Sequence, residues 1–197
     1  MEHSSSGRSA LGAYLDQSIA VLERTRDAFD HGLVEQAIDR IVDALGADRP
    51  LLVCGNGGSA ADAEHITGEL VGRFLKNRRG LKAISLVSGA ATLTAWANDY
   101  SYETVFSRQV EAYGRSGGVL LGLSTSGNSP NVVAAFEMAR SLGVGTIALT
   151  GEGGGKLASL SDVLLAVPSR STPLIQQAHI CLYHYICEHV EARLAGA

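Results

Sequence analysis

Apolar residues in the first fifty positions recur at helical spacing, with Leu11, Leu15, Ile19 and Leu22 on one stripe and Val34, Ile38, Ile41 and Leu45 on another. The stripes are broken near Asp30-His31-Gly32, so the pattern predicts two amphipathic helices. The period then changes. Short runs dense in Val, Leu and Ile predict strands at 50–54, 82–87, 118–123, 144–149 and 162–167. Between and after them, the spacing predicts helices over 58–75, 103–113, 129–142, 155–160 and 173–194. Strands that are apolar on both faces and separated by helices imply α/β architecture, a parallel sheet covered on both sides, with ligands gathering beyond the carboxyl ends of the strands. The last helix is apolar nearly all round until Glu188, which predicts burial, partly against another subunit.

Composition narrows the classes. A chain of 197 residues with 46% hydrophobic content can bury a full core, and it reads as a single domain over 11–197 behind a disordered polar tail at 1–10. A formal charge of −4 argues against nucleic acid or a membrane surface as partner. The basic run Lys76-Asn77-Arg78-Arg79 reads as a solvated loop. With no apolar signal core at the N-terminus and no long apolar span, the expected location is the cytoplasm. Cys54, Cys181 and Cys187 lie inside apolar runs without a CxxC pair and are expected to be buried, reduced thiols.

Candidate chemistry sits at the predicted strand ends. Cys54-Gly55-Asn56-Gly57-Gly58-Ser59 leads from the first strand into a helix. Its glycines allow close backbone approach, and the helix start favours an anion. Ser124-Thr125-Ser126-Gly127-Asn128-Ser129-Pro130 follows the third strand and brings hydroxyls to an equivalent place. Taken alone it could be an N-capped turn; paired with the first loop it could grip one phosphorylated molecule. Neither loop contains Lys or Arg and no GxxxxGK[ST] pattern is present, which disfavours a nucleoside triphosphate. Gly55 to Ala60 satisfies the loose GxGxxA fingerprint, but the second strand ends Leu86-Val87-Ser88-Gly89 without the acid a dinucleotide ribose needs. No nucleotide cofactor is expected. The run Gly151-Glu152-Gly153-Gly154-Gly155 reads as a turn needing positive φ angles.

His65 and Glu69 stand four residues apart, on one helix face, beside Gly68 and Gly72, two helix glycines that imply close packing of another backbone. Gln176, Gln177, His179 and His184 are polar groups in the apolar last helix and must find partners.

Taken in order, these motifs together with Asn98-Asp99-Tyr100, Leu149-Thr150-Gly151 and Ile175-Gln176-x-x-His179-x-x-x-x-His184 closely resemble the phosphoheptose isomerases of the sugar isomerase (SIS) domain family, over about 40–195. The resemblance implies a flavodoxin-like fold with a five-stranded parallel sheet. It also implies a homotetramer with active sites at subunit interfaces and the conversion of sedoheptulose 7-phosphate to D-glycero-D-manno-heptose 7-phosphate. Carried over by position, Asn56, Gly57, Gly58, Ser59, Glu69, Asn98, Asp99, Ser124, Thr125, Ser126, Ser129 and Gln176 are expected to touch the sugar phosphate. Glu69 and His184 are the implied catalytic pair, and one zinc ion per subunit is implied at His65, Glu69, Gln176 and His184. The chain departs from the pattern at Ser171-Thr172-Pro173-Leu174, where some members carry an acid just before the Ile-Gln pair.

The residue types suit the reaction, because moving a proton between C1 and C2 through an enediol needs a carboxylate base and an acid for the oxygens. Two alternatives remain: an isomerase of another sugar phosphate, and a non-catalytic regulatory or replication-initiator adaptor module on the same fold. Adaptor relatives lack the catalytic pair, and both Glu69 and His184 are present.

Overall fold

The structure, a computed structural model, describes residues 9–29 and 31–196. Two helices, α1 (Ala10–Ala28) and α2 (His31–Gly46), precede the first strand, β1 (Leu51–Gly55). There follow α3 (Gly58–Val71), β2 (Ala83–Ser85), α4 (Ala90–Asp99), α5 (Val105–Tyr113) and β3 (Val119–Ser124). The chain ends with α6 (Pro130–Ser141), β4 (Gly145–Thr150), β5 (Val163–Ala166) and α7 (Thr172–Leu194). The tail expected over 1–10 falls outside the described residues up to position 8, while Ser9 caps α1 by accepting from the Gly12 N–H.

All five strands form one parallel sheet in the order β2-β1-β3-β4-β5. The period-2 alternation of each strand divides the core in two. Leu51 and Val53 of β1 join Leu121 and Leu123 of β3 under α2, α3 and α7, while Leu52, Cys54 and Leu120 face α5 and α6. Each such aliphatic side chain contributes about 1.5–3 kcal/mol on full burial. Gly122 in mid-β3 leaves the space that the Phe136 ring of α6 fills.

Five points depart from the sequence reading. The helix α4 was not predicted, because its core-facing stripe is limited to half-buried Leu93, Trp96 and Ala97 and none of its residues is fully buried. The helix expected over 58–75 stops at Val71, where Gly72 caps it and the N–H groups of Phe74, Leu75 and Lys76 turn instead to the Glu191 carboxylate. Arg78, read as part of a solvated loop, is buried against the same carboxylate. Cys181 is exposed, whereas burial pushes the thiols of Cys54 and Cys187 up to about 12. The segment 155–160 is a 3-10 turn (Gly155–Ser159), reached through Gly153, Gly154 and Gly155 at positive φ as expected.

Candidate functional site

The strand order reverses direction at β1 and β3, which lie side by side with Gly55 opposite Leu123. This is the switch point at which α/β sheets of this order bind ligands. The loops 55–59 and 124–129 both leave the sheet there. Gly57 has φ 57° and Gly127 has φ 64°, conformations in which a Cβ is strained. Neither α3 nor α6 receives a side-chain cap. Ser129 occupies the capping position of α6, yet its hydroxyl faces the Ser124 hydroxyl at 2.9 Å instead. Ser59 and Ser124 are buried, Thr125 is half-buried and Ser126 is exposed. Ser126 is partly engaged, since its Oγ accepts from the Asn128 N–H. The glycine run after β4 braces this loop: the Gly151 N–H donates to the Thr125 carbonyl, and the Lys156 N–H to Asn128 Oδ1.

Asn56 is tied down. Its amide pairs reciprocally with that of buried Asn131 at 2.9 Å in each direction, and the Tyr102 hydroxyl donates to its Oδ1. The side chain therefore links the two loops, and Gly57 and Gly58 supply the open backbone. Nothing in the sequence pattern singled out Asn131 or Tyr102, because partners 75 and 46 residues distant leave no periodic trace.

On α3, His65 Nε2 lies 3.1 Å from Glu69 Oε1, as the four-residue spacing predicts. From α7, His184 Nε2 approaches His65 Nε2 to 3.4 Å, and one donor atom from each of the three residues lies within 4.8 Å of the others. Four-coordinate zinc with ligand bonds of about 2.0–2.1 Å needs ligand atoms roughly 3.3 Å apart, which the His65–Glu69 and His65–His184 spacings of 3.1 and 3.4 Å match. The hydrogen-bond network supports the same donor set. Tyr183 directs its hydroxyl hydrogen at Asp62 Oδ1 (3.3 Å), so its oxygen is left to accept from His65 Nδ1 at 3.0 Å. That tautomer turns a lone pair of His65 Nε2 toward the Glu69 carboxylate, two acceptors 3.1 Å apart that a cation or a proton between them would reconcile. Asp62 is buried, and burial raises its pKa despite the opposing Tyr183 hydrogen bond and nearby His65 and His184.

Gln176 stands two turns before His184, about 12 Å along the helix axis. Its amide rests against Gly58, where an added Cβ would meet Nε2 at 2.6 Å, and among the described residues no hydrogen bond joins it to the His65 cluster. Asn98 and Asp99 are exposed at the end of α4, and the Asn98 amide donates only to its neighbour Asp99. The close backbone contact expected at Gly68 is not made within the chain: the space at its Cβ position is open.

His179 is structural. It is fully buried, its Nε2 donates to the Thr150 carbonyl at 3.1 Å, and burial lowers its pKa to about 4. A depressed folded-state value means that below about pH 6.5 the unfolded chain takes up a proton the folded one refuses. Stability is therefore full above that pH and falls by about 3 kcal/mol as pH drops to about 4. Urea titrations at pH 7.5 and 4.5 should show His179→Leu losing that part of the pH dependence.

Residues 13–151 match the SIS domain family. The chain is 53% identical over 161 residues to a phosphoheptose isomerase of Crocosphaera subtropica, covering 82% of each chain. Among solved structures it resembles phosphoheptose isomerase GmhA from Neisseria gonorrhoeae, with a TM-score of 0.86 at 40% identity, over 92% of this chain and 97% of that one. A phosphoheptose isomerase from Francisella tularensis gives a TM-score of 0.89 at 36% identity, over 92% and 96%.

Proposed function

This chain belongs to the SIS domain family, among its phosphoheptose isomerases, and on that footing we propose how it converts D-sedoheptulose 7-phosphate to D-glycero-D-manno-heptose 7-phosphate. The observation that carries the reading is the meeting of Glu69 with His184, two side chains 115 positions apart brought to one cluster within 4.8 Å. The phosphate rests on the hydroxyls of Ser59, Ser124, Thr125, Ser126 and Ser129 and the backbone of 56–58, and Gln176 orients the sugar. Asn98 and Asp99 add contacts to the sugar hydroxyls.

Glu69 takes the proton from C1 of the open-chain ketose as the C1–C2 double bond forms, and His184 gives a proton to the C2 oxygen. In the second half, Glu69 returns a proton to C2 while His184 receives the one leaving the C1 hydroxyl, which restores both groups and leaves an aldehyde at C1. General acid/base work of this kind contributes about 10² to 10⁴ in rate.

We assign zinc, one per subunit, to His65, Glu69 and His184; Gln176, the fourth ligand that family resemblance implies, stands two turns away on α7 with its amide against Gly58. When bound, the ion would supply positive charge beside the sugar oxygens, and any Glu69 or His184 lone pair it holds would be withdrawn from proton transfer. The partner is a second copy of the chain in a homotetramer. Leu11, Leu15 and Ile19 of α1 and Ile180 and Tyr185 of α7 stand exposed, and α4 buries none of its residues. Among the described residues no helix is long and apolar enough to cross a membrane.

Incubation of the purified protein with ketose phosphates of five, six and seven carbons tests the substrate. The reading expects the seven-carbon compound to be converted with the highest kcat/KM; preference for a shorter sugar would assign another isomerase activity.

A further inference from the structure

The most deeply buried charges in the described chain lie outside the cluster that meets the sugar. Glu191, near the end of α7, is 1% exposed by side chain, and Arg78, in the loop after α3, is 2% exposed. Their Nη2 to Oε1 distance is 3.1 Å. The Glu191 carboxylate also accepts the backbone N–H groups of Phe74, Leu75 and Lys76. Burial pushes this carboxyl up, but the three N–H donors and Arg78 more than offset it and hold it below the ordinary carboxylate range. One side chain thus gathers a whole loop that would otherwise be an irregular surface excursion.

What the loop touches gives the pair its meaning. Arg78 Nη2 donates to the main-chain carbonyl of Glu69 at 2.8 Å, and Nη1 donates to the Gly72 carbonyl at 3.1 Å. The guanidinium therefore fixes the end of α3 from which the Glu69 side chain projects. Phe74, whose own N–H is held by Glu191, stacks its ring on His184 with centroids 5.7 Å apart and planes at 21°. Glu191 itself follows His184 by seven residues, two turns along the same face of α7. The loop is consequently anchored to α7 at one point and delivers contacts to both Glu69 and His184. Arg78 on the last α3 carbonyls stabilises the helix end in its own right, but the same loop also carries the Phe74 ring to His184, which helix capping does not require.

We propose that Glu191 and Arg78 are positioning residues for the isomerisation, holding the 72–79 loop so that the Glu69 backbone and the His184 ring keep the spacing proton transfer requires. The proposal rests on the reading of Glu69 and His184 as the catalytic pair. Misplacement of reacting groups by about 1 Å can cost about a hundredfold in rate, and a small shift of this loop acts on both groups at once.

The test compares Glu191→Gln, Arg78→Lys and Phe74→Leu with the wild-type enzyme on sedoheptulose 7-phosphate, well below each variant's Tm. Expected are falls in kcat of about tenfold or more for Glu191→Gln and Arg78→Lys, with KM and the affinity for inorganic phosphate within about twofold, because the phosphate loops lie at the far end of α3. Phe74→Leu keeps its N–H on Glu191 and the buried pair intact, so it carries the test should the charge variants fail to fold. Its kcat should fall while its Tm stays near wild type, and its effect should be less than multiplicative with Glu191→Gln. A lowered Tm with unchanged kcat in all soluble variants would reduce the pair to a structural brace and overturn the proposal. Undiminished turnover in Glu69→Gln and His184→Asn would instead remove the catalytic pair on which it rests.

Discussion

Glu69→Gln is expected to lower kcat by at least about a hundredfold with little change in Tm. The amide keeps the shape of the carboxylate and still faces His65 Nε2, now 3.1 Å from Oε1, so packing on α3 is preserved. It cannot accept the C1 proton, because a neutral amide is far too weak a base. The residue is only part-buried, so no large desolvation change accompanies the substitution. Steady-state rates with sedoheptulose 7-phosphate, alongside a thermal melt, check the prediction. Near wild-type turnover in a folded variant would remove Glu69 from the role of base.

The second large effect concerns metal affinity, and it follows from a residue that is neither ligand nor acid. Tyr183→Phe deletes the hydroxyl that lies 3.0 Å from His65 Nδ1 and donates to Asp62. His65 then loses the partner that keeps its proton on Nδ1, and Nε2 is no longer reserved for the ion. Loss of such an outer partner typically costs about 10- to 100-fold in metal affinity. Competition against a zinc chelator of known affinity measures the change independently of activity. Equal zinc affinity in the two proteins would show that the Asp62–Tyr183 arrangement does not set the ligand.

Much of this architecture was legible in the sequence, for particular reasons. The five strands are read from the Val/Leu/Ile runs because a parallel sheet buried on both faces makes them continuous. The His65–Glu69 contact is legible because four residues is close to one helical turn. The helix α4 was not, since its apolar face is only Leu93, Trp96 and Ala97, half-buried against the core, too short a stripe to stand out. The residues that orient the site were also invisible. Asn131 holds Asn56 across 75 positions, and Arg78, surrounded by Lys76, Asn77 and Arg79, has the local sequence of a solvated loop. Its burial is decided by Glu191, more than a hundred residues later, and no short-range rule connects the two. The family resemblance supplied the pairing of Glu69 with His184; the structure adds what holds that pairing in place.

The central claim is that a proton, carried by Glu69, moves between C1 and C2. Nuclear magnetic resonance of the product formed from sedoheptulose 7-phosphate in D₂O tests it most directly. The account predicts deuterium at C2 of the heptose phosphate made by the wild-type protein, and at least about a hundredfold slower deuterium entry with Glu69→Gln. Rapid formation of the product by Glu69→Gln, with the same protium or deuterium at C2 as in the wild type, would mean that Glu69 does not carry the proton and would contradict the account.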